Sequence, residues 1–246
     1  MLRDIYSIFW VDLRNLRHHW RATIATSLVQ PLLYLFAFGY GLGGSLSVGT
    51  VSYLTFVVPG IVALTSFSTS FNGAASKLQV DRFFYKSFEE LLMAPVSFYS
   101  IVLGKALIGV LRGFISSVAI LVVGYALSPT LVISPLLILA LVFSCFVFAL
   151  FGVLAAFVIN SHQGMSTFSN LVLVPMTFLC GTFFSLSQLP EAAKIVLYFL
   201  PLTHSSELLR AIALGQTLPL LSLLGLVGFG VAFFVGCVFT LKRTSV

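Results

Sequence analysis

Charge is scarce in this sequence. Asp, Glu, Lys and Arg make up 8% of 246 residues, and the seven acidic ones are outnumbered by thirteen basic ones, for a net charge of +6. Apolar side chains account for 59%, and the mean hydropathy is +1.09. A soluble domain with so little charge would have to cover its surface with Leu and Phe, so that class is excluded. Cysteine is also sparse: Cys145, Cys180 and Cys237 lie in apolar stretches without metal-ligand spacing, which points to packing residues rather than a disulfide framework or a zinc site. His18, His19, His162 and His204 are scattered, and His18-His19 fits a head-group level position. Neither G-x-S-x-G nor H-E-x-x-H is present. The one Gly-Lys pair, Gly104-Lys105, has Tyr99 where a P-loop needs its first Gly and Ala106 where it needs Ser or Thr. The chain is therefore expected to hold no catalytic residue, metal or nucleotide of its own.

Long apolar runs are what the sequence does have. Six windows each supply about 20 apolar residues, enough to cross about 30 Å of hydrocarbon: roughly 22–43, 53–75, 104–127, 132–159, 165–187 and 218–241. The expected fold is an all-α membrane protein with six transmembrane helices in one domain. Placing the N-terminus inside puts Arg3, Arg14, Arg17, Arg21, Lys77, Arg82, Lys86, Lys242 and Arg243 on the cytoplasmic side, with Lys105 and Arg112 in the inner part of span three. Only Lys194 and Arg210 then remain outside, so both termini are expected to be cytoplasmic. Basic residues beside spans read as anchors to anionic lipid, not as a nucleic-acid surface.

Residues 1–21 do not have the pattern of a cleavable signal peptide. At 100° per residue, Leu2, Ile5, Phe9, Leu13, Leu16 and Trp20 share an arc of roughly 80°, with Arg3, Arg14, Arg17 and Arg21 on the adjacent flank. This predicts a helix in the inner membrane interface. A simple positive-inside anchor explains the same arginines, and the two readings are compatible.

Between the second and third apolar windows lies a charged island, Asp81 to Pro95. Ser87 followed by Glu90 reads as a capping box, and Pro95 disfavours helix at Ala94. The resulting peg, Ser87 to Met93, is roughly 10 Å long and aligns Phe88, Leu91 and Leu92 on one face. Too short to be stable alone, it is expected to dock on another protein at the membrane surface. On the outer side, Ser187 to Pro219 is too polar to span. Leu189 to Leu200 and Ser205 to Leu214 read as short helices separated by Pro201, with i, i+3 ion pairs Glu191–Lys194 and Glu207–Arg210. A hairpin re-entering over about 188–215 and a surface hairpin capping the bundle both satisfy the limits on backbone at membrane depth.

Inside the membrane, Thr65, Thr69, Asn72 and Ser76 form a polar stripe on span two. It fits a substrate path, or hydroxyls bonding between helices or to their own backbone. Lys105 and Arg112 share a helix face about 10 Å apart along the axis. Arg112 is placed either to guide an anionic lipid or glycolipid head group or to snorkel to the interface. Pro59 and Pro175 are placed to kink spans two and five. Gly109-x-x-x-Gly113 and Gly39-x-x-x-Gly43 permit close helix approach.

Three stretches carry a family resemblance: Tyr53-Leu54-Thr55-Phe56-Val57-Val58-Pro59-Gly60; Phe88-Glu89-Glu90-Leu91-Leu92-Met93-Ala94-Pro95-Val96-Ser97; and Gly181-Thr182-Phe183-Phe184-Ser185-Leu186 through Leu189-Pro190 to Tyr198-Phe199-Leu200-Pro201-Leu202-Thr203-His204 and Leu209-Arg210. On these the chain resembles membrane subunits of ABC-2-type exporters, in the branch of lipo-oligosaccharide (nodulation-factor) and antibiotic-resistance permeases. The resemblance implies an interfacial helix, six spans, a coupling helix at 87–95 and re-entrant helices before span six. It also implies that two permease subunits pair, as a homodimer or with a similar partner, on two ATP-binding subunits that hold ATP and magnesium. On this reading Phe88, Leu91 and Leu92 seat in the partner's cleft while Glu89 and Glu90 fix register; helix-dipole compensation is a second role for the two glutamates. The expected function is export of an amphipathic, lipid-linked or drug-like substrate across a bacterial-type inner membrane. The alternative is an ATP-independent carrier or channel, which would need an intramembrane carboxylate or coupling-ion site.

Overall fold

The structure is a computed structural model that describes residues 1–42, 47–48, 51–185 and 190–244. It is all-α apart from a two-residue antiparallel pairing of Ser47–Val48 (β1) with Val51–Ser52 (β2). The first helix, α1, runs unbroken from Leu2 to Phe36 and continues as a π turn, Ala37–Leu42. The expected boundary between an interfacial helix 1–21 and a span 22–43 is thus not a break in the helix. Then follow α2 (Tyr53–Phe83), α3 (Ser87–Met93), α4 (Phe98–Leu127) and α5 (Pro135–Val158). Four of the helix starts have a serine at the cap: the side chains of Ser52, Ser97, Ser134 and Ser161 accept from the N–H of Thr55, Ser100, Leu137 and Gly164. Each satisfies one of the orphan donors at its helix start.

Among the described residues, five helices are long and apolar enough to cross a membrane: Trp20–Gly39, Tyr53–Phe83, Phe98–Leu127, Pro135–Val158 and Leu220–Arg243. The fifth expected span, 165–187, falls on a helical path that runs without a gap through α6 (His162–Phe168), a π turn (Ser169–Leu173) and α7 (Val174–Leu179); residues 186 and 187 lie outside the described residues. Pro175 is the second residue of α7, directly after the π turn, whereas α2 stays one helix through Pro59. The last elements are α8 (Glu191–Tyr198), α9 (Pro201–Ala213) and α10 (Leu220–Thr244).

The bundle is organised around α2. Its apolar window is 83% buried within the chain, against 17% for α1 and 22% for α10, so α2 is the core and those two form the rim. Glycine lets α4 come close: a Cβ on Gly109 would sit 2.6 Å from the Ser70 carbonyl and 2.7 Å from Ala74 Cβ, and one on Gly113 would overlap Ser70. The Gly109-x-x-x-Gly113 spacing is therefore the seam between α2 and α4. Gly39 meets only Leu54 at ordinary contact distance, and Gly43 lies outside the described residues. Large aromatics fill the centre, with Phe67 edge-on to Phe148 at 5.0 Å and Phe71 against Phe151 at 5.1 Å.

On α1 the packed face is Ile8, Asp12 and Leu16, at i, i+4, i+8. The apolar arc read from the sequence is not that face: of its members only Leu16 is buried, and Leu2 and Trp20 are exposed. Arg3, Arg14, Arg17 and Arg21 are all exposed.

Candidate transport cavity and coupling surface

A cavity of about 990 Å³ lies between α1, α2 and α4. Thr69, Asn72 and Ser76 from the polar stripe line it, as do Arg14 and Arg17 of α1 and Arg112 of α4. Thr65 does not: it is fully buried and donates back to the Ile61 carbonyl at 2.7 Å. Thr69 likewise bonds back to the Thr65 carbonyl. The stripe thus divides: its buried hydroxyl serves its own helix, while Asn72 and Ser76 are exposed in the cavity. Ser27 and Ser116, 2.9 Å apart, tie α1 to α4 at its wall.

Four charges meet at the end of the bundle that carries the N-terminus. Lys105 of α4 contacts Asp12 Oδ2 at 3.1 Å and Asp81 Oδ2 at 2.7 Å, and Lys77 contacts Asp12 Oδ1 at 3.4 Å and Asp81 Oδ1 at 2.5 Å. Asp12, Asp81 and Lys105 are buried. The square holds α1, α2 and α4 in one register, and its two cations balance its two anions. Lys105 therefore neither snorkels nor joins Arg112 in the cavity. The i, i+4 spacing of Lys77 and Asp81 was visible in the sequence; their pairing with Asp12 and Lys105 was not, because those partners are 93 residues apart. Arg82, counted from sequence only as an inside charge, donates to the carbonyls of Ala156 and Phe157 at the end of α5, as expected for a cation at a helix C-terminus.

Six residues beyond Asp81, α3 begins. Its cap differs from the expected capping box: Ser87 is the first helical residue, and the cap is Lys86 in the left-handed region (φ 53°), with no side-chain cap bond. The turn that re-aims the chain from α2 into α3 occupies the position a serine cap would need. Orientation differs as well. Phe88 is buried against Phe157, ring centroids 5.7 Å apart, and Leu91 and Leu92 pack on the same core. The faces left exposed are Ser87, Glu89, Glu90, Met93 and Pro95, adjoined by Phe84 and Tyr85.

At the opposite end, α9 is anchored by Arg210. Its Nε donates to the Phe56 carbonyl at 3.2 Å and its Nη2 to those of Gly181 (2.7 Å) and Thr182 (3.2 Å), with the guanidinium 3.9 Å above the Phe56 ring. The expected Glu207–Arg210 pair does not form. Glu207 accepts instead from Tyr198 (3.1 Å) and Ser222 (2.5 Å), fastening α9 to α8 and α10. Burial, and then Glu207, raise the Tyr198 phenol above its ordinary range, so it stays a donor. The Glu191–Lys194 pair does form, at 3.3 Å and exposed. Pro201 opens α9 at its first position, where its missing N–H costs nothing. The start of the segment, 186–189, lies outside the described residues, as do the side chains of His18 and His19. Arg210→Met leaves three carbonyls without this donor and is expected to cost about 2–3 kcal/mol; Arg210→Lys recovers only part, because an ammonium cannot reproduce the fork. Thermal unfolding of both variants in detergent, with faster deuterium exchange around 179–185, is the check.

A bundle of membrane-length helices enclosing a cation-lined cavity has the build of a membrane transport component. The chain belongs to the ABC-2 type transporter family, which it matches over residues 3–214. It is 28% identical over 248 residues to the inner membrane transport permease YadH of Escherichia coli (strain K12), covering 96% of both chains. To nodulation protein J of Rhizobium leguminosarum bv. trifolii it is 31% identical over 201 residues, 79% of this chain and 75% of the relative. Nodulation protein J of Rhizobium meliloti (strain 1021) gives 31% over 203 residues, 80% and 76%. The family resemblance read from the sequence is correct.

Proposed function

We propose that this chain is the membrane subunit of an ATP-driven exporter. Two copies pair and rest on two ATP-binding subunits, which hold the ATP and magnesium, and the complex moves an amphipathic or lipid-linked substrate outward from the cytoplasm or inner leaflet. The similarity to an inner membrane permease supports placement in that membrane. The nodulation protein J relatives support the lipo-oligosaccharide branch over drug efflux. The basic residues at the α3 end support a cytoplasmic location for both termini.

The observation that carries the reading is the exposed side of α3. A seven-residue helix cannot hold itself, and here Phe88 fixes it to α5 while Glu89, Glu90 and Met93 face away from the chain. Through Lys86 and the short turn it joins α2, and the Asp12–Lys77–Asp81–Lys105 square joins α2 to α1 and α4, the walls of the cavity. A push on α3 by a closing ATP-binding subunit therefore moves the cavity walls as one unit. Asp12 and Asp81, being neutralised by lysines, do not constitute the free carboxylate that an ion-coupled carrier would need.

Charge reversal tests the docking. Glu89→Lys with Glu90→Lys, both at exposed positions, is expected to lower the stability of the permease only by the helix-dipole contribution of about 0.3–1 kcal/mol per residue and to weaken co-purification with the ATP-binding subunit about tenfold, the equivalent of about 1.4 kcal/mol. Unchanged assembly and unchanged substrate-stimulated ATP hydrolysis would remove the two glutamates from the interface.

A further inference from the structure

Among the described residues, the cavity between α1, α2 and α4 is lined by three arginines, Arg14, Arg17 and Arg112, and by no Asp or Glu. Asp12, whose field reaches Arg112, is already engaged by Lys77 and Lys105. Arg112 makes no hydrogen bond or ion pair among the described residues, and its Nε is sealed from the surface without a partner. Its side chain lies close over α2 at Gly73, where a Cβ would stand 3.0 Å from Arg112 Cδ. A guanidinium at membrane depth, with room made for it and no anion supplied by the chain, is costly unless something else brings the charge.

We propose that this cavity binds an amphiphile with an oxyanion head of the phosphate or sulfate type. The head pairs with Arg112, a guanidinium being suited to two-point recognition of such groups; Asn72 and Ser76 are the exposed donors beside it. The stem lies along Leu13, Trp20, Ile24 and Ile115. At about 990 Å³ the space is at the upper end of the roughly 300–1,000 Å³ usual for small-molecule sites. Naming a substrate class this way rests on the export reading, whereas binding to the cavity requires neither ATP nor a partner subunit.

Trp10 and Trp20, the two tryptophans of the sequence, both line the cavity, so intrinsic fluorescence reports on it directly. The full chain in neutral detergent is titrated with dihexanoyl phosphatidic acid, with dihexanoylglycerol, and with inorganic phosphate. The expected result is a saturable spectral change with phosphatidic acid at a Kd at least about tenfold below that of dihexanoylglycerol, and none with inorganic phosphate at the same concentrations. Arg112→Gln is expected to raise the phosphatidic acid Kd about tenfold, and Arg112→Lys to lie between. Should Arg112→Gln not fold, Arg14→Gln with Arg17→Gln, at exposed positions, is expected to raise it several-fold. Equal Kd values for the charged and uncharged amphiphile, or an unchanged Kd in the variants, would overturn the site. Phosphate binding as tight as phosphatidic acid would assign it to a soluble anion and overturn the amphiphile. Either failure, with ATP-binding subunits still captured through α3, would leave the exporter reading standing.

Discussion

Asp81→Asn is expected to destabilise the permease by about 3–5 kcal/mol, the usual cost of removing one partner from a buried ion cluster. The loss exceeds that of the two contacts themselves, Lys77 at 2.5 Å and Lys105 at 2.7 Å. It leaves two lysines sharing Asp12, hence one uncompensated positive charge where α1, α2 and α4 meet. Charge balance, not the number of bonds, governs the outcome. The double variant Asp81→Asn with Lys105→Met restores neutrality through Lys77 and Asp12 and is therefore expected to be more stable than Asp81→Asn alone. A double-mutant cycle on thermal unfolding in detergent measures that coupling, expected at about 1–3 kcal/mol. Additive losses would show that the four charges do not act as a unit. The same cycle followed through substrate-stimulated ATP hydrolysis asks whether the square also transmits motion from α3 to the cavity.

Phe88→Ala and Met93→Asp are expected to fail in opposite ways. Phe88 is 4% exposed and packed against the tilted ring of Phe157, so its removal opens a core cavity worth about 3–5 kcal/mol and lowers the melting temperature of the permease alone. Met93 is 86% exposed, so Met93→Asp changes stability by no more than about 0.5 kcal/mol. Its effect is expected on capture of the ATP-binding subunit, reduced about tenfold. Tyr85→Ala, on the adjoining exposed patch, is expected to behave as Met93→Asp does. A stable Phe88→Ala chain that no longer binds its partner would restore the opposite assignment of the two faces.

That assignment shows where sequence reasoning reached its limit. Apolar windows, the peg between α2 and α4 and the break near Pro201 were legible because each is local: twenty apolar residues, an acidic first turn, a proline. The direction in which α3 presents Phe88 was not local. It depends on the left-handed turn at Lys86 and on Phe157, far along the chain. For the same reason no local signal singled out Asp12, although both lysines of the ion square contact it. The polar stripe was half legible: Asn72 and Ser76 reach the cavity, while Thr65 satisfies its own backbone. Glu207 and Arg210 have the right spacing for a pair, but burial gave each better partners than the other.

The central claim is that this chain is moved by a separate nucleotide-hydrolysing subunit through α3. It is tested most directly in proteoliposomes containing the permease with and without its ATP-binding partner, using an amphiphilic substrate and ATP. The account predicts uphill transport only when both proteins and ATP are present, and its loss in the Glu89→Lys, Glu90→Lys permease despite normal folding. Uphill transport by the permease alone would contradict it.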